Sequence, residues 1–426
     1  MIEKGNVMTL PGVLDGIKIV EFSQNAAIPH CGRLLAGLGA DVVKVEPPAG
    51  DAMRHLAPIG DDGRAYLTTN PGKRAITLDL ASNEAPAVVD RLFAWADVAL
   101  VAMKPADLDR YGLDWDHART VNPRLIHLTH TALGPEGPAS HHGGYDVLVQ
   151  GRSGIGWTMN RTREGTPQST RPAVNDYGTG MVSAFAVMAG LRHRDQTGEG
   201  QRIDTSLLGT AMSLCTPTVA WFEQDAEGYE RLQEEIDALR LGGLSFAEQR
   251  EHYERRVEPG GGAFRLYFRH YRTADGLISV AGLSRHLFAK LHEATGVAAP
   301  PRMKVDDEFL AVVDAMEAFF AARPTGELLE RLEAHGYPCG PYNSPHEAAF
   351  DEQVRANDFV IELEHPTVGR YATSGMPIRM EKSRAEVRGP SPRLGEHTRQ
   401  VMVELGLDDA TIAGLEAAGV ITSLDG

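Results

Sequence analysis

The chain has 426 residues, of which 42% are hydrophobic and 23% are charged, a composition typical of a globular protein large enough for two hydrophobic cores. Its 42 basic and 58 acidic residues give a formal net charge of −16, which argues against general nucleic-acid binding. No stretch approaches the ~20 apolar residues of a membrane span, and residues 1–11 show no signal-peptide pattern. We therefore expect a soluble cytoplasmic protein with no nucleic-acid or membrane partner.

The three cysteines, Cys31, Cys215 and Cys339, lie far apart and form no CxxC pair. So few cysteines predict no disulfide framework and fit a reducing compartment. His141 and His142 are adjacent, and neighbouring side chains on a regular element point in different directions. We therefore predict no metal site there or elsewhere in the chain.

The first third of the chain alternates between strands and helices. Short apolar strands are predicted at 16–22, 40–46, 75–80, 97–103 and 125–131. Helices are predicted between them at about 30–38, 82–95 and 104–113. This alternation indicates a parallel sheet in an α/β domain.

The turn after the first predicted strand lacks the GxGxxG spacing of a dinucleotide site, which argues against an NAD(P) enzyme. In an open α/β sheet the ligand crevice lies beyond the carboxyl ends of the strands. Lys104 and Arg110 follow the fourth predicted strand and lie on that side, whereas Lys73 and Arg74 precede the third. Each could be an ordinary surface charge, but as a set in an acidic chain they predict a phosphate-binding patch.

A single carboxylate, Asp176, stands between a polar loop and an apolar segment of helical periodicity at 181–191. Asn or Asp at this place is a good N-cap, so one interpretation is that Asp176 only caps the helix. The other is that the helix N-terminus presents an ionised carboxylate to a ligand and lowers its pKa by about one unit at most. That direction suits a carboxylate nucleophile better than a general acid.

After residue 208 the composition shifts towards a second, smaller α+β domain. Residues 222–256 are strongly charged and are predicted to form a solvated helical linker. The glycine run at 260–262 is predicted to be either a flexible linker or a mobile lid over a reactive intermediate. The other predicted elements are a hairpin turn at 271–276, a strand at 277–281 and helices at about 285–295, 308–322 and 325–336.

The C-terminal part begins where the chain turns back at 339–342. Its predicted helices lie at 346–358, 395–407 and 409–418. Its predicted short strands lie at 360–364, 369–372 and 378–380.

A set of motifs, through their order and spacing, resembles the class III CoA-transferase family of the CaiB/BaiF type (formyl-CoA transferase-like) over nearly the whole chain. The motifs are LDGIKIVEF at 14–22, LGADVVKVEPPAGD at 38–51, GKR at 72–74, LDRYGL at 108–113, GYD at 144–146, DYGTG at 176–180 and CGPYNS at 339–344. No single motif decides the family, whereas their combination is specific.

The resemblance implies a Rossmann-like large domain from 1–210 and 345–426, a small α+β domain at 225–340, and linkers at 211–224 and 341–344. It also implies an interlocked homodimer. The implied enzyme moves CoA from an acyl-CoA thioester to a free carboxylic acid, and CoA thioesters are its substrates rather than a bound cofactor. Asp176 would be the nucleophile, forming an acyl–aspartyl anhydride and then an aspartyl-CoA thioester.

The same resemblance assigns roles around Asp176. The family's glycine lid, which keeps water from the anhydride, would map to Gly260, Gly261 and Gly262. Gln24 and Asn25 lie near the place where some members carry a Gln that steadies the acyl–enzyme carbonyl. The predicted CoA contacts are Lys73, Arg74, Met103, Lys104, Arg110 and Tyr145. The family often has Glu-Asn-Phe-Arg where this chain has Val-Ala-Met-Lys at 101–104, a departure in the adenine pocket.

Racemases or isomerases of the same superfamily, using Asp176 as acid/base, are the alternative. They need two acid/base groups, one on each face of the α-carbon. A His precedes the Asp in their counterpart of 144–146, whereas here that place is Tyr145, a poor partner with its reference pKa of about 10. A CoA-binding protein without chemistry is disfavoured by the intact motif at Asp176.

The acyl group is not readable from the motifs. Four arginines precede Asp176 in the adjoining loops, and one that faced the pocket would favour a dicarboxylate. They are Arg152, Arg161, Arg163 and Arg171.

Overall fold

The computed structural model describes residues 10–159, 161–257 and 262–424. Within these ranges the chain forms two compact units. The larger unit contains the residues up to Glu223 and those from Arg355 onward, and the smaller unit is Gln224–Val354. None of the helices in the described ranges is long and apolar enough to cross a membrane.

The larger unit is built on a six-stranded parallel sheet and therefore has an α/β fold. Its strands, in chain order, are Lys18–Phe22 (β1), Asp41–Glu46 (β2), Arg74–Thr77 (β3), Val98–Val101 (β4), Ile126–Thr131 (β5) and Gln201–Ser206 (β6). Their order across the sheet is β6-β5-β4-β1-β2-β3, and every neighbouring pair is parallel. All four residues of β4 are buried, because helices cover both faces of the sheet.

The strand order reverses beside β1, and this reversal positions the site. From β1 the chain moves outward through β2 and β3 and then returns to the other side of β1 as β4. Phe22 pairs with Val101, so the segments that follow these two residues leave the sheet side by side. In open α/β sheets such a reversal creates a crevice beyond the carboxyl ends of the two strands.

The five strands predicted for this sheet are confirmed, with ends that differ by a few residues. The sixth strand, β6, has no counterpart among the predictions. It lies at the edge of the sheet, and its residues alternate between exposed and partly buried, with only Thr205 buried. Such a strand carries too weak an apolar pattern to be recognised from sequence alone.

Two hydrophobic cores lie on opposite faces of the sheet, because successive strand residues point to opposite sides. Val20 belongs to one core and Ile19 to the other. The first core is covered by the helices Ala85–Trp95, Pro105–Tyr111, Trp115–Val121, Thr398–Glu404 and Asp409–Ala417. The second core is covered by Ala27–Gly37 and Val174–Thr197.

The remaining elements of the larger unit are short. Its other helices are Arg64–Thr69, Asp146–Ser153, Ile155–Met159, Leu207–Leu214 and Thr216–Val219, with a 3-10 turn at Ala52–His55. Its antiparallel strand pairs are Pro58–Ile59 with Asp62–Gly63, Thr162–Arg163 with Thr166–Pro167, and Val360–His365 with Gly369–Ser374.

The smaller unit has its own core and an α+β composition. Its antiparallel sheet is formed by Phe268–Arg272, Leu277–Ala281 and Cys339–Pro341. Its helices are Ala226–Leu241, Phe246–Val257, Gly262–Leu266, Arg285–Thr295, Asp307–Ala321, Thr325–Ala334 and Pro345–Phe350. The hairpin, the strand at 277–281 and the three helices that follow it are as predicted.

Two predictions for the C-terminal part are wrong. No strand forms at 378–380. The helix predicted at 346–358 is two short helices, Pro345–Phe350 and Glu352–Ala356. Asp351 separates them, because its side chain accepts a hydrogen bond from the Val354 N–H and so begins a new turn.

Candidate active site

The crevice beyond β1 and β4 contains two adjoining cavities of about 380 and 470 Å³. The residues shared by both cavities are Gln24, Asn25, Ala102, Met103 and Lys104. The first two follow β1 and the other three follow β4, so the site lies where the reversal of the strand order predicts it.

The first cavity extends towards the ends of β2 and β3. Its wall includes the apolar side chains of Leu78, Leu80 and Met103 and the ring of Tyr111. Lys104 supplies a positive charge at its edge, and no carboxylate in the described ranges lies within ion-pair distance of its ammonium group. A cavity that offers apolar side chains for a heterocyclic ring and an unpaired cation for its phosphates is suited to a nucleotide-like ligand.

The second cavity contains Asp176 and extends towards β5. Its wall combines the apolar side chains of Ile28, Leu148 and Leu207 with polar groups that include His130 and Asp176 itself. A wall that combines apolar side chains with convergent polar groups is the usual form of a small-molecule site.

Asp176 lies in the first turn of the long helix Val174–Thr197, whose N-cap residue is Ala173. Ala173 offers no side-chain hydrogen bond to the helix, and Asp176 follows the start of the helix rather than preceding it. The interpretation that Asp176 caps this helix is therefore wrong.

The capping carboxylate belongs to another helix. Oδ2 of Asp146, the first residue of the helix Asp146–Ser153, accepts hydrogen bonds from the N–H groups of Asn175 (2.9 Å) and Asp176 (3.0 Å). Its Oδ1 accepts from Asn175 Nδ2 at 3.2 Å and from the side-chain amide of Gln150. Gln150 Oε1 in turn accepts from the Thr170 N–H at 3.0 Å, which ties the preceding loop to the same helix.

Burial, and after it the negative charge of Asp146, raise the pKa of Asp176 to about 6. This direction is opposite to the predicted one. The free N–H groups of the helix N-terminus that were expected to stabilise the ionised carboxylate are bonded to Asp146 instead. The carboxylate of Asp176 is still mostly ionised at pH 7, but it is more basic than an ordinary aspartate.

Gln24 and Asn25, the predicted oxyanion candidates, line both cavities. Asn25 has a positive φ of 70°, and its N–H donates to Asp51 Oδ1 at 3.3 Å. Behind this segment Lys44 donates to the Ser23 carbonyl at 2.7 Å and forms buried ion pairs with Asp51 and Glu21. A buried network of charges therefore holds the loop after β1 in its position.

The structure does not bring Lys73 to the crevice. Its buried ammonium group lies 2.8 Å from Glu21 Oε2, 2.7 Å from the Pro29 carbonyl and 2.8 Å from Asn70 Oδ1. An ammonium group has three protons, and these three acceptors occupy all of them.

Arg74 is the first residue of β3 and lies at the amino end of this strand, whereas the crevice lies beyond the carboxyl ends of the strands. Its guanidinium group pairs with Asp41 and Glu404. The patch predicted from four cations therefore does not assemble, because two of them serve the fold.

The other predicted CoA contacts lie at or beside the cavities. Met103 and Lys104 line both, and Tyr145 lines the second. The guanidinium of Arg110 stacks 5.2 Å from the ring centre of Tyr111, whose side chain lines the first cavity.

Of the predicted glycine lid, Gly260 and Gly261 lie outside the described residues. Gly262 begins the short helix Gly262–Leu266 of the smaller unit and is buried. A Cβ there would come within 2.6 Å of the Phe309 ring, so close packing explains this glycine.

Among the described residues, His130 and Asp146 are site residues that the sequence analysis did not single out. Asp146 lies in a recognised motif, but only the fold brings it against the Asn175 N–H. None of the four arginines proposed to contact a dicarboxylate lines either cavity. The described ranges contain no cluster of three or more His, Cys, Asp or Glu residues suited to a metal ion.

Residues 14–398 match the family described as CoA-transferase family III. The match spans most of the chain, and the chain belongs to this family, whose members are enzymes. The family indicated by the sequence motifs is confirmed.

Individual relatives match over nearly the full length. The formyl-CoA:oxalate CoA-transferase of Streptomyces coelicolor is 31% identical over 420 residues, which cover 96% of this chain and 99% of that relative. The succinate–glutarate CoA-transferase of Agrobacterium fabrum is 33% identical over 412 residues, 92% of this chain and 95% of that relative. A CAIB/BAIF family protein from Brucella suis has a similar structure, with a TM-score of 0.72 and 28% identity over 93% of this chain and 100% of that one.

Proposed function

We propose that this enzyme transfers CoA from an acyl-CoA thioester to a free carboxylic acid, with Asp176 as the covalent nucleophile. The observation that carries the proposal is the place of Asp176, a partly buried carboxylate in the wall of the larger of the two cavities, in a crevice typical of nucleotide-like ligands. The full-length relatives support it, since both are named as CoA-transferases that act on small acids.

The reaction divides into two symmetrical exchanges. The Asp176 carboxylate attacks the thioester carbon, which forms a mixed anhydride and releases CoA thiolate. The thiolate attacks the aspartyl carbonyl, which releases the first acid and leaves an aspartyl-CoA thioester. The incoming carboxylate repeats both steps in reverse order, so that CoA leaves on the new acid and Asp176 is regenerated.

The electrostatics of the site support this role. A carboxylate with a pKa of about 6 is ionised at neutral pH and is a stronger nucleophile than one with a pKa near 4. A fully solvated aspartate would be the weaker nucleophile and would have to lose its hydration shell before it attacked.

Within this proposal the two cavities bind different parts of the CoA thioester. The adenine and phosphates of CoA occupy the first cavity beside Met103, Lys104 and Arg110, and the pantetheine arm passes Tyr145 to reach Asp176. Gln24 and Asn25 lie at the junction of the two cavities, where an N–H or an amide can stabilise the oxyanion at the reacting carbonyl.

The proposal includes a homodimer that is interlocked, with the large domain made of 1–210 and 345–426 and the small domain of 225–340. Exposed apolar side chains support association: on the helix Val174–Thr197, Phe185 is 75% exposed and Met181 is 51% exposed. Monomeric proteins seldom expose such a group on one helix face. Light scattering should give twice the 46.2 kDa of one chain, and Phe185→Glu should shift mass towards the monomer, whereas Leu56→Glu should not.

The decisive experiment is to trap the intermediate. The protein is incubated with a panel of acyl-CoA thioesters, borohydride is added, and peptide masses are mapped. Reduction should change the mass of the peptide that contains Asp176, and the Asp176→Asn variant should show no change. An unmodified Asp176 with every donor that binds would contradict the covalent mechanism.

An acyl-CoA racemase is the second candidate, because two histidines, His130 and His142, line the cavity that contains Asp176. A racemase exchanges the α-proton of its substrate with solvent, and a transferase does not need to. Deuterium uptake at the α-carbon of the CoA ester, without transfer to a second acid, would favour the racemase.

A cytoplasmic location fits both candidates, since the cysteines Cys31, Cys215 and Cys339 are all free thiols.

A further inference from the structure

His130 presents an unpaired nitrogen to the cavity that contains Asp176. It is the second-last residue of β5, lines that cavity, and is only 8% exposed. Its Nδ1 lies 3.4 Å from Thr205 Oγ1 on β6. Its Nε2 has no hydrogen-bond partner among the described residues. Both ring nitrogens of His30 are buried without a partner, whereas His130 Nε2 is accessible to solvent. The Nε2 edge of the ring therefore faces the cavity.

A chain of hydroxyl groups favours one tautomer of His130. Ser183 Oγ donates to Thr205 Oγ1 at 3.1 Å, so the Thr205 hydroxyl can donate its own proton to His130 Nδ1, 3.4 Å away. A neutral imidazole that accepts at Nδ1 carries its proton at Nε2. Burial lowers the pKa of His130 to about 4, so the ring is neutral at pH 7. His130 is thus a hydrogen-bond donor directed into the cavity.

The position of this donor relates it to the nucleophile. Ser183 follows Asp176 by seven residues in the same helix, which is almost two full turns, so the two residues share a face about 10 Å apart along the helix axis. His130, at the far end of this chain of hydroxyl groups, lines the same cavity as Asp176. Ile28, Leu148 and Leu207 make other parts of the cavity wall apolar, whereas Thr131 and His142 add further polar groups beside His130.

We infer that His130 determines acyl specificity, because its Nε2–H donates a hydrogen bond to an oxygen that the acyl group carries beyond its thioester carbon. This inference rests on the proposed CoA-transferase function. An acyl group with a carboxylate or hydroxyl at that place pairs with the donor, whereas a plain alkyl chain makes no hydrogen bond there and leaves the donor unpaired. The preferred substrates are therefore dicarboxylic or hydroxy acids.

Three donors with four-carbon acyl chains test the inference: succinyl-CoA, 3-hydroxybutyryl-CoA and butyryl-CoA. We expect the wild-type enzyme to prefer the better of the two oxygen-bearing donors over butyryl-CoA by about tenfold or more in kcat/KM. The higher kcat/KM of those two tells whether the preferred oxygen is a carboxylate or a hydroxyl. A wild-type enzyme that used butyryl-CoA as well as the other two would overturn the inference.

The variants separate specificity from structure. His130→Leu should lose about tenfold on the preferred donor, mainly through KM, and much less on butyryl-CoA, which makes no hydrogen bond to residue 130. His130→Gln, which retains an N–H near Nε2, should keep most of the preference. Thr205→Val removes the partner of Nδ1 and should reduce the preference by a smaller factor, which provides a test if His130→Leu does not fold. Equal losses on all three donors would mean that His130 only supports the fold, and would overturn the inference.

Binding measurements keep this inference separate from the proposed function. The affinities of the three CoA esters are measured by calorimetry for Asp176→Asn, which cannot form the intermediate, and for Asp176→Asn with His130→Leu. Tighter binding of the oxygen-bearing esters that disappears in the double variant supports the role of His130, even if no donor is turned over and the transferase proposal fails. Equal binding in both variants overturns it, even if the wild-type enzyme is a transferase.

Discussion

The carboxylate of Asp146 lies 3.0 Å from the backbone nitrogen of Asp176 and accepts its hydrogen bond. Asp146 therefore caps the helix Val174–Thr197, and the side chain of Asp176 lines the cavity. This arrangement keeps two negative side chains close together in a buried region, and it explains why the Asp176 carboxyl is more basic than its position in a helix N-terminus would suggest.

The raised pKa predicts the pH dependence of activity. If Asp176 is the nucleophile, as proposed, it must be ionised to react, so kcat/KM should fall on the acid side with an apparent pKa of about 6. Rates are measured from pH 4.5 to 8, with the unfolding temperature followed over the same range as the control. An acid limb near pH 4, in a protein that is still folded, would contradict the assigned environment of Asp176.

The same environment makes Asp176 costly for stability. Its pKa is higher in the folded protein than the ordinary value of 3.8, so the folded state is penalised above pH 6 and the penalty disappears as the pH falls towards 4. Asp176→Asn should therefore raise the free energy of unfolding at pH 7 by up to about 3 kcal/mol while abolishing transfer. Chemical denaturation at pH 7 and pH 4.5 measures the difference, which should shrink at the lower pH. A variant less stable than wild type at pH 7 would argue against this account.

Asp146→Asn should weaken the N-terminus of the helix Val174–Thr197, which carries Asp176. The amide retains one oxygen but sets an NH2 group against the donors of Gln150 and Asn175, so hydrogen exchange at 174–180 should become faster and kcat should fall more than KM rises. The acid limb should also move below pH 6, because a negative charge near Asp176 is gone.

Asp306→Asn is the matched control for Asp146→Asn. Asp306 caps the helix Asp307–Ala321 in the smaller unit by accepting from the Phe309 N–H at 3.1 Å. Because Asn caps a helix about as well as Asp, this change should alter stability by less than about 0.5 kcal/mol and leave the pH profile unchanged. If both variants changed activity to the same degree, Asp146 would have no special role at the site.

Lys104→Ala should weaken binding of CoA thioesters. Lys104 lines both cavities and has no carboxylate partner in the described ranges, so its charge is available for a phosphate. We expect KM to rise by about tenfold with little change in kcat, and the loss to be smaller at high salt because salt already screens the wild-type contact. Lys304→Ala, at an exposed lysine of the smaller unit, should leave KM unchanged. An unchanged KM for Lys104→Ala would remove this residue from the CoA site.

Lys73→Met should damage the fold rather than CoA binding. It leaves Glu21 buried without one of its two cationic partners, which we expect to cost about 3–5 kcal/mol. Lys304→Met should change the free energy of unfolding by less than about 0.5 kcal/mol. A raised KM for CoA thioesters in a variant of normal stability would return Lys73 to the substrate site.

The parts of the fold that depend on local pattern were predictable. Ile19, Val20 and Phe22 make a buried strand wherever it is placed in a sheet, and the helix at 285–295 begins at a serine cap and ends at a glycine, as its sequence indicates. The edge strand β6 lacks such a pattern. A strand at the edge of a sheet can form with only one partly buried face, so it needs few apolar residues.

The roles of charged residues were less predictable, because the role of a charged side chain depends on the groups that surround it in the folded protein. Lys73 and Lys104 are both lysines next to strand ends, but the first is enclosed by Glu21, the Pro29 carbonyl and Asn70, whereas the second faces a cavity. Nothing within a few residues of either lysine distinguishes these two environments.

The sequence by itself determined the α/β class and the family, and it singled out Asp176 as the candidate for chemistry, because these inferences depend on periodicity and on the order of motifs along the chain. The tertiary structure alone decided that Asp146 rather than Asp176 caps the helix, that the pKa of Asp176 is raised rather than lowered, and that His130 faces the cavity. Burial and hydrogen bonding arise from residues that are distant in sequence, and a pKa is the sum of those contacts. Asp146 and Asp176 are separated by 30 positions along the chain and come together only when two helices pack.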